Sequence, residues 1–302
     1  MPGRVPDSYR FGHQPTEGGI VTITINTSDT AITDTAADRA LKAKHAAMWA
    51  SGNYSAVVTD VVAPLGGILV DAVGVRAGLC VLDVAAGTGT AALPAARRGA
   101  TVTAIDLTPE LLAVGRADAA AEGVDLTWQT ADAEALPFPD AEFDAVVSAI
   151  GVMFAPHHQL AADELLRVCR PAGTVGVLSW TPEGFIGQMF AVMKPYAPSP
   201  PPGASPAPLW GSADHVRQLF GEGVTDLLAR QRSLWVTRFG DGAEFRDYFK
   251  ANYGPTIAVY RFIADDPAKV AALDADLAAL GDRYLTDGVM QWDYLLVTAT
   301  RR

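Results

Sequence analysis

The residues best placed for chemistry lie in Val81-Leu82-Asp83-Val84-Ala85-Ala86-Gly87-Thr88-Gly89-Thr90, where an apolar, β-leaning run ends in two glycines that open a helix-like stretch. Glycine lets the backbone pass close to a ligand. The first turn of a helix adds free N–H groups and the positive end of its dipole, which suit a carboxylate or a phosphate. Alone, such a turn also serves phosphate cofactors, or simply packs a helix on a sheet. Two further acids stand at strand ends. Asp106 follows Thr101–Ile105, where a carboxylate can accept hydrogen bonds from both ribose hydroxyls of a nucleoside bound at a strand crossover. Asp132 follows Leu126–Thr130 on the same edge and can receive an adenine amino group.

Positioning these groups requires strands that alternate with helices. Leu79–Val84, Thr101–Ile105, Leu126–Thr130, Phe143–Ala149 and Thr174–Trp180 read as strands. Thr90–Arg98, Pro109–Glu122 (capped by Thr108) and Gln159–Cys169 (ended by Pro171 and Gly173) read as helices between them. That alternation predicts a mostly parallel sheet covered on both faces. Residues 1–35 carry one short alternating run, Ile20–Ile25, and read as a flexible tail; Glu17-Gly18-Gly19 also resembles a translated ribosome-binding site that would make Val21 the start. Residues 36–75 show helical spacing with Asp34 as a cap, and form a helical lid ahead of a core at 76–182. Residues 183–288, with a proline-rich loop at 195–208, form a variable substrate-binding region, in which Ser212–Phe220, Ala243–Asn252 and Pro267–Leu280 read as helices and Leu234–Phe239 as a strand. Residues 289–302 supply the last core strand.

Composition narrows the partners. Acidic residues outnumber Lys plus Arg by 34 to 23, and basic residues cluster only as Arg97-Arg98 and Arg301-Arg302, which argues against a nucleic-acid partner. No uninterrupted apolar run reaches the roughly 18 residues of a membrane span. The two cysteines, Cys80 and Cys169, read as small buried hydrophobes without a disulfide framework, and point to the cytoplasm. The histidines lack metal-ligand spacing and no GxSxG elbow occurs, so no metal is expected. A small-molecule acceptor is expected, and a homodimer is left open.

Five motifs in order resemble the class I S-adenosylmethionine-dependent methyltransferases, especially their small-molecule and quinone-biosynthesis-like branch. They are Val81 to Thr90, Ala104 to Thr108, Asp132-Ala133-Glu134-Ala135-Leu136-Pro137-Phe138, Phe143 to Ser148, and Leu165 to Gly173, all within residues 78–180. The resemblance implies a Rossmann-like, doubly wound α/β fold with a final antiparallel strand, N-terminal helices and a C-terminal substrate cap. It implies S-adenosylmethionine as cofactor, with Asp83, Gly87 and Gly89 lining its methionine end, Asp106 on the ribose, Leu107 beside it, and Asp132-Ala133 at the adenine. Ala85 stands where many members carry glycine.

Other candidates follow from position. Ser148 and Gly151 stand near the cofactor edge after the fourth strand, whereas Val152 and Met153 equally suit core packing. His157 or His158 is a candidate general base for a hydroxyl acceptor, the alternative being a surface turn or helix cap. Trp49 to Tyr54 resembles the family's aromatic entrance segment, with Tyr54 as lid residue or as helix packing. Trp210, His215, Phe249 and Tyr253 can form an aromatic acceptor pocket, or simply core. Two other activities stay open: a catalytically silent S-adenosylmethionine-binding protein, and an NAD-dependent oxidoreductase, since Gly87-x-Gly89-x-x-Ala92 followed by Asp106 fits the loose dinucleotide fingerprint.

Overall fold

A computed structural model describes residues 36–201 and 203–302, so the N-terminal tail, with Ile20–Ile25, Val21 and Asp34, lies outside the described residues. The chain opens with helices α1 (Ala36–Trp49), α2 (Tyr54–Val57) and α3 (Ala63–Val73). It continues through β1 (Cys80–Val84), α4 (Ala92–Arg97), β2 (Thr101–Asp106), α5 (Pro109–Glu122), β3 (Thr127–Thr130), β4 (Phe143–Ala149), α6 (His158–Val168) and β5 (Cys169–Trp180). The C-terminal part holds α7 (Phe185–Met193), α8 (Ala213–Phe220), β6 (Val224–Val236), α9 (Gly242–Asn252), α10 (Gly254–Phe262), α11 (Pro267–Tyr284), β7 (Leu285–Thr286) and β8 (Val289–Arg301).

The strands form one sheet in the order β3-β2-β1-β4-β5-β8-β6, with β7 paired to β8. Strands β1 to β5 pair in parallel, and β8 runs against β5, β6 and β7, so β8 is the antiparallel strand expected at the end of the chain. Val81, Leu82 and Val84 of β1 are fully buried because helices cover both faces. Strand order reverses between β1 and β4, which leaves a crevice above the carboxyl ends of β1, β2 and β4.

Three local features depart from the sequence expectations. Thr108 stands at the cap position of α5, but its hydroxyl makes no capping bond. Helix α6 stops at Val168, and the chain enters β5 at once instead of waiting for Thr174. Pro171, left-handed Ala172 (φ 60°) and Gly173 are absorbed in a bulge where pairing jumps from Phe143–Cys169 to Ala145–Thr174. Cys80 is exposed at the start of β1, while Cys169 is buried as expected, and both thiols are free.

The stretch Tyr54–Val73 is one helix with a widened π turn at Val58–Val62, ahead of Pro64, whose ring nitrogen cannot donate back into the helix. By length and composition it is the one helix among the described residues that could cross a membrane. Here it serves as a core helix: Val61, Leu65, Leu69 and Val70 are buried, and a Cβ on Gly66 would come within 1.6 Å of the Thr90 carbonyl. Gly66 therefore lets α3 press directly on the turn after β1. Farther along the same face of the sheet, Phe185, Phe239, Phe245 and Phe249 gather around Trp292, which stacks on Phe185 at 5.1 Å.

Candidate functional site

The crevice is a cleft whose empty space, counted out into the solvent at its mouth, is about 820 Å³. Four strand ends contribute walls: Ala85 and Gly87 after β1, Asp106 and Leu107 at β2, Asp132 and Ala133 after β3, and Ile150 and Gly151 after β4. Lys42, His45 and Trp49 of α1 and Tyr54 of α2 face them. Of the residues anticipated from sequence, Tyr54, Ala85, Gly87, Asp106, Leu107, Asp132 and Ala133 meet in this one cleft.

The backbone turn after β1 is shaped by conformations that glycine adopts freely. Gly87 has φ 57°, and a Cβ there would meet only the Tyr54 ring, at 3.7 Å, so the turn is open toward the cleft. Ala85 is left-handed at φ 55° without being glycine, and β-branched Ile150 is so at φ 69°. Such strain concentrates at ligand sites. Gly151 is required beside them, because a Cβ there would lie 2.1 Å from the Ala85 carbonyl oxygen.

Asp106 is 8 % exposed. Its Oδ2 accepts the Gly87 N–H at 2.8 Å and its Oδ1 the Thr108 N–H at 2.8 Å. Burial raises its pKa, and these backbone bonds offset part of that rise. Asp83 lies deeper, outside the cleft lining. One oxygen accepts the Ala92 N–H at 2.7 Å at the head of α4, and the other has no partner among the described residues. Burial first, and then the Asp106 charge, push its pKa up to about 7.

Lys42, which sequence reasoning missed, joins α1 to the loop after β3. Its Nζ is 2.5 Å from Asp132, 2.8 Å from Asp38 and 2.9 Å from buried Glu134. Burial disfavours the ammonium, yet hydrogen bonds to the three carboxylates carry its pKa above the ordinary lysine value. Asp38, Glu134 and His157 stand close enough to ligate a metal, and the lysine supplies the positive charge in their midst. Lys42, His45 and Trp49 recur at helical spacing, and that common face of α1 was the signal available in the sequence.

Trp49 packs edge-on against Tyr54 (5.3 Å), Phe154 (4.8 Å) and Tyr253 (5.6 Å), and so closes one end of the cleft with rings. Burial, and then the Asp106 charge, raise the Tyr54 pKa, so this phenol keeps its proton.

Other anticipated residues lie elsewhere. Ser148 is fully buried; its hydroxyl donates to the Val84 carbonyl at 2.7 Å and accepts the Val152 N–H at 2.9 Å, clipping β4 to β1 rather than facing a ligand. Gly89 (φ 91°) makes room for the Trp128 ring, which a Cβ would approach to 2.8 Å. His157 is held by Glu134, through its backbone N–H at 2.6 Å and its Nδ1 at 2.9 Å. His158 is buried with Nδ1 2.9 Å from Nε2 of His215, and burial and that neighbour push its pKa down to about 4. Neither histidine lines the cleft, and both rings are bonded to other partners. Trp210 is buried between His158 and Phe220, away from the cleft.

The parallel sheet, the open glycine turn and the acid-tipped strand ends define a class I S-adenosylmethionine-dependent methyltransferase, and residues 81–173 match the family model of the methyltransferase domain. S-Adenosylmethionine is its cofactor. The chain belongs to a family that includes the uncharacterized protein Rv1405c of Mycobacterium tuberculosis, to which it is 55% identical over 265 residues, spanning 88% of this chain and 97% of that protein. The demethylmenaquinone methyltransferase of Thermus thermophilus is 41% identical over 116 residues, 37% of this chain and 53% of that enzyme. Among solved structures, the YcgJ protein from Bacillus subtilis shares the fold with a TM-score of 0.56 at 19% identity, covering 79% of this chain and 98% of that one.

Proposed function

We propose that this enzyme methylates an O, N or C atom of a small molecule and releases S-adenosylhomocysteine. When bound, S-adenosylmethionine would supply an electrophilic methyl group, activated by its sulfonium sulfur, to the acceptor atom. The chain's own work is alignment and exclusion of water, which can contribute on the order of 7–11 kcal/mol. Asp106 and Leu107 hold the ribose, Asp132 and Ala133 the adenine, and the Ala85–Gly87 turn the amino-acid end, near the spare oxygen of Asp83. Residues 36–75 act as the lid, with Trp49 and Tyr54 over the reacting end, and residues 183–288 build the acceptor side. The free thiols Cys80 and Cys169 and the net charge of −11 support a cytoplasmic protein with no nucleic-acid partner.

The observation that carries this reading is the Asp106 carboxylate, nearly buried yet at the cleft wall and bonded to the N–H of the Gly87 turn. Calorimetry with S-adenosylhomocysteine and with NAD tests it. The expected result is binding of the former alone, weakened roughly tenfold or more by Asp106→Ala through loss of charge-assisted hydrogen bonds. Tight NAD binding without response to S-adenosylhomocysteine would overturn it.

A further inference from the structure

Methyl transfer to an O–H or N–H group frees a proton, and few groups in the cleft can take it. The titratable walls are Lys42, His45, Tyr54, Asp106 and Asp132. Lys42 keeps its proton and is paired at 2.5 Å with Asp132, whose other oxygen accepts the Glu134 N–H at 2.9 Å. Tyr54 keeps its proton as well, and both oxygens of Asp106 accept backbone N–H groups. That leaves His45.

His45 stands on α1 between Lys42 and Trp49, and steps of three and four residues keep all three on one side of a helix, about a turn apart. The Lys42 ammonium reaches Asp132 and Glu134, and the Trp49 ring packs on Tyr54 and Phe154, so this side is the one turned to the cleft. Among the described residues His45 is the one histidine whose ring makes no hydrogen bond, since His157 is bonded to Glu134 and His158 to His215. Neither of its ring nitrogens is sealed from solvent. Burial lowers its pKa below the ordinary histidine value, while the Glu134 charge pulls it up and the Lys42 charge down. At pH 7 the ring is therefore largely neutral and offers a lone pair.

We infer that His45 is the catalytic base of the transfer and takes the proton that the acceptor atom gives up. This rests on the methyltransferase reading of the cleft. The acceptor's lone pair forms the bond to the methyl carbon, and the carbon–sulfur pair stays on sulfur. The acceptor's hydrogen passes as a proton to the ring nitrogen, its bonding pair remains on the acceptor atom, and water at the cleft mouth later removes the proton from the imidazolium. One positive charge leaves sulfur as one arrives on the ring. An imidazolium at that place opposes a sulfonium and tolerates a thioether.

The test compares S-adenosylmethionine with S-adenosylhomocysteine, which differ by that charge and the methyl group. Calorimetry measures the affinity of the full chain for each at pH 7 and pH 5, in the wild type and in His45→Gln. The other ionisable groups around the ring are Asp38 and Lys42 on α1, Asp132, Glu134 and His157 beyond β3, and Asp83 and Asp106 at the strand ends. They are the same in both proteins, so the difference between the proteins reports on His45. On acidification the preference for S-adenosylhomocysteine is expected to grow roughly threefold or more beyond its growth in His45→Gln. If that variant does not fold, the wild-type ring should titrate at higher pH with S-adenosylhomocysteine bound than with S-adenosylmethionine, read by nuclear magnetic resonance. Transfer of the methyl group to phenol should fall on the order of a hundredfold in His45→Gln, and transfer to thiophenol, ionised unaided at pH 8, should fall far less. A preference that moves equally in both proteins, a ring that titrates alike in both complexes, or phenol methylated no faster by the wild type than by the variant would overturn the inference. Failure of both ligands to bind the wild-type chain would instead overturn the cleft's assignment.

Discussion

Asp83 shows how a carboxyl group buried beneath the cleft can work against the fold. Its folded pKa of about 7 stands far above the roughly 3.9 of an unfolded aspartate. A raised pKa means that the folded state holds the proton more tightly, so the contribution is fully present below about pH 4 and is lost as pH rises through 7. Asp83→Asn keeps an oxygen for the Ala92 N–H and removes the titration. It is therefore expected to gain stability relative to wild type between pH 5 and pH 8, read from urea midpoints at both; parallel profiles for the two proteins would refute this. The residues legible in the sequence, Gly87, Asp106 and Asp132, share one property: each sits at a strand end whose place follows from local pattern. The partners of Ser148 and His158, Val84 and His215, could not be read from local pattern, because only the folded chain brings them near. Lys42 was missed for the same reason, since two of its three partners, Asp132 and Glu134, sit beyond three strands of intervening sequence.

At the scale of elements, α1 is fastened to the core by Lys42 at one end and by the Trp49 rings at the other. Replacing Lys42 with Met removes the cation and leaves Asp132 and Glu134 facing each other, a loss on the order of 2–5 kcal/mol of local stability for a largely buried pair. Hydrogen exchange is expected to speed up across Ala36–Trp49 while β1 and β4 keep their protection, and uniform acceleration would mean that α1 is no separate lid. Gly66→Ala acts on the opposite face. It forces α3 away from Thr90, costs about 1–3 kcal/mol by overpacking, and should weaken S-adenosylhomocysteine binding as well as lower the melting temperature. Strands β1 and β4 could be read from sequence because buried parallel strands are nearly continuous apolar runs. Strand β6 was seen only at its end, since its exposed half, Thr225, Asp226, Arg230, Gln231 and Arg232, carries the composition of a loop. Helices α7 and α10 were passed over because apolar residues on most sides erase the helical period.

For the whole molecule, the antiparallel addition of β8 and β6 creates an edge that the parallel core alone would not have. Among the described residues β6 is the terminal strand of the sheet, thirteen residues long, with Leu228 52 % and Trp235 66 % exposed. An edge of this length and apolar content invites pairing with a second copy. Two features oppose it. A bulge between Thr225 and Leu228, with Asp226 left-handed at φ 52°, bends the strand, and Arg230 and Arg232 place like charges at its middle. In an antiparallel pair centred on Gln231, each arginine would face the other arginine of the second copy, an unfavourable arrangement. Arg230→Val with Arg232→Val removes that repulsion and leaves a β-prone apolar run from Leu227 to Val236. The double variant is expected to sediment as dimers and larger species at concentrations where the wild-type chain does not gain mass through this edge, with S-adenosylhomocysteine binding unchanged because β6 touches no wall of the cleft. Unaltered sedimentation would show that the bulge alone protects the edge, and self-association abolished by restoring one arginine would place the protection in charge.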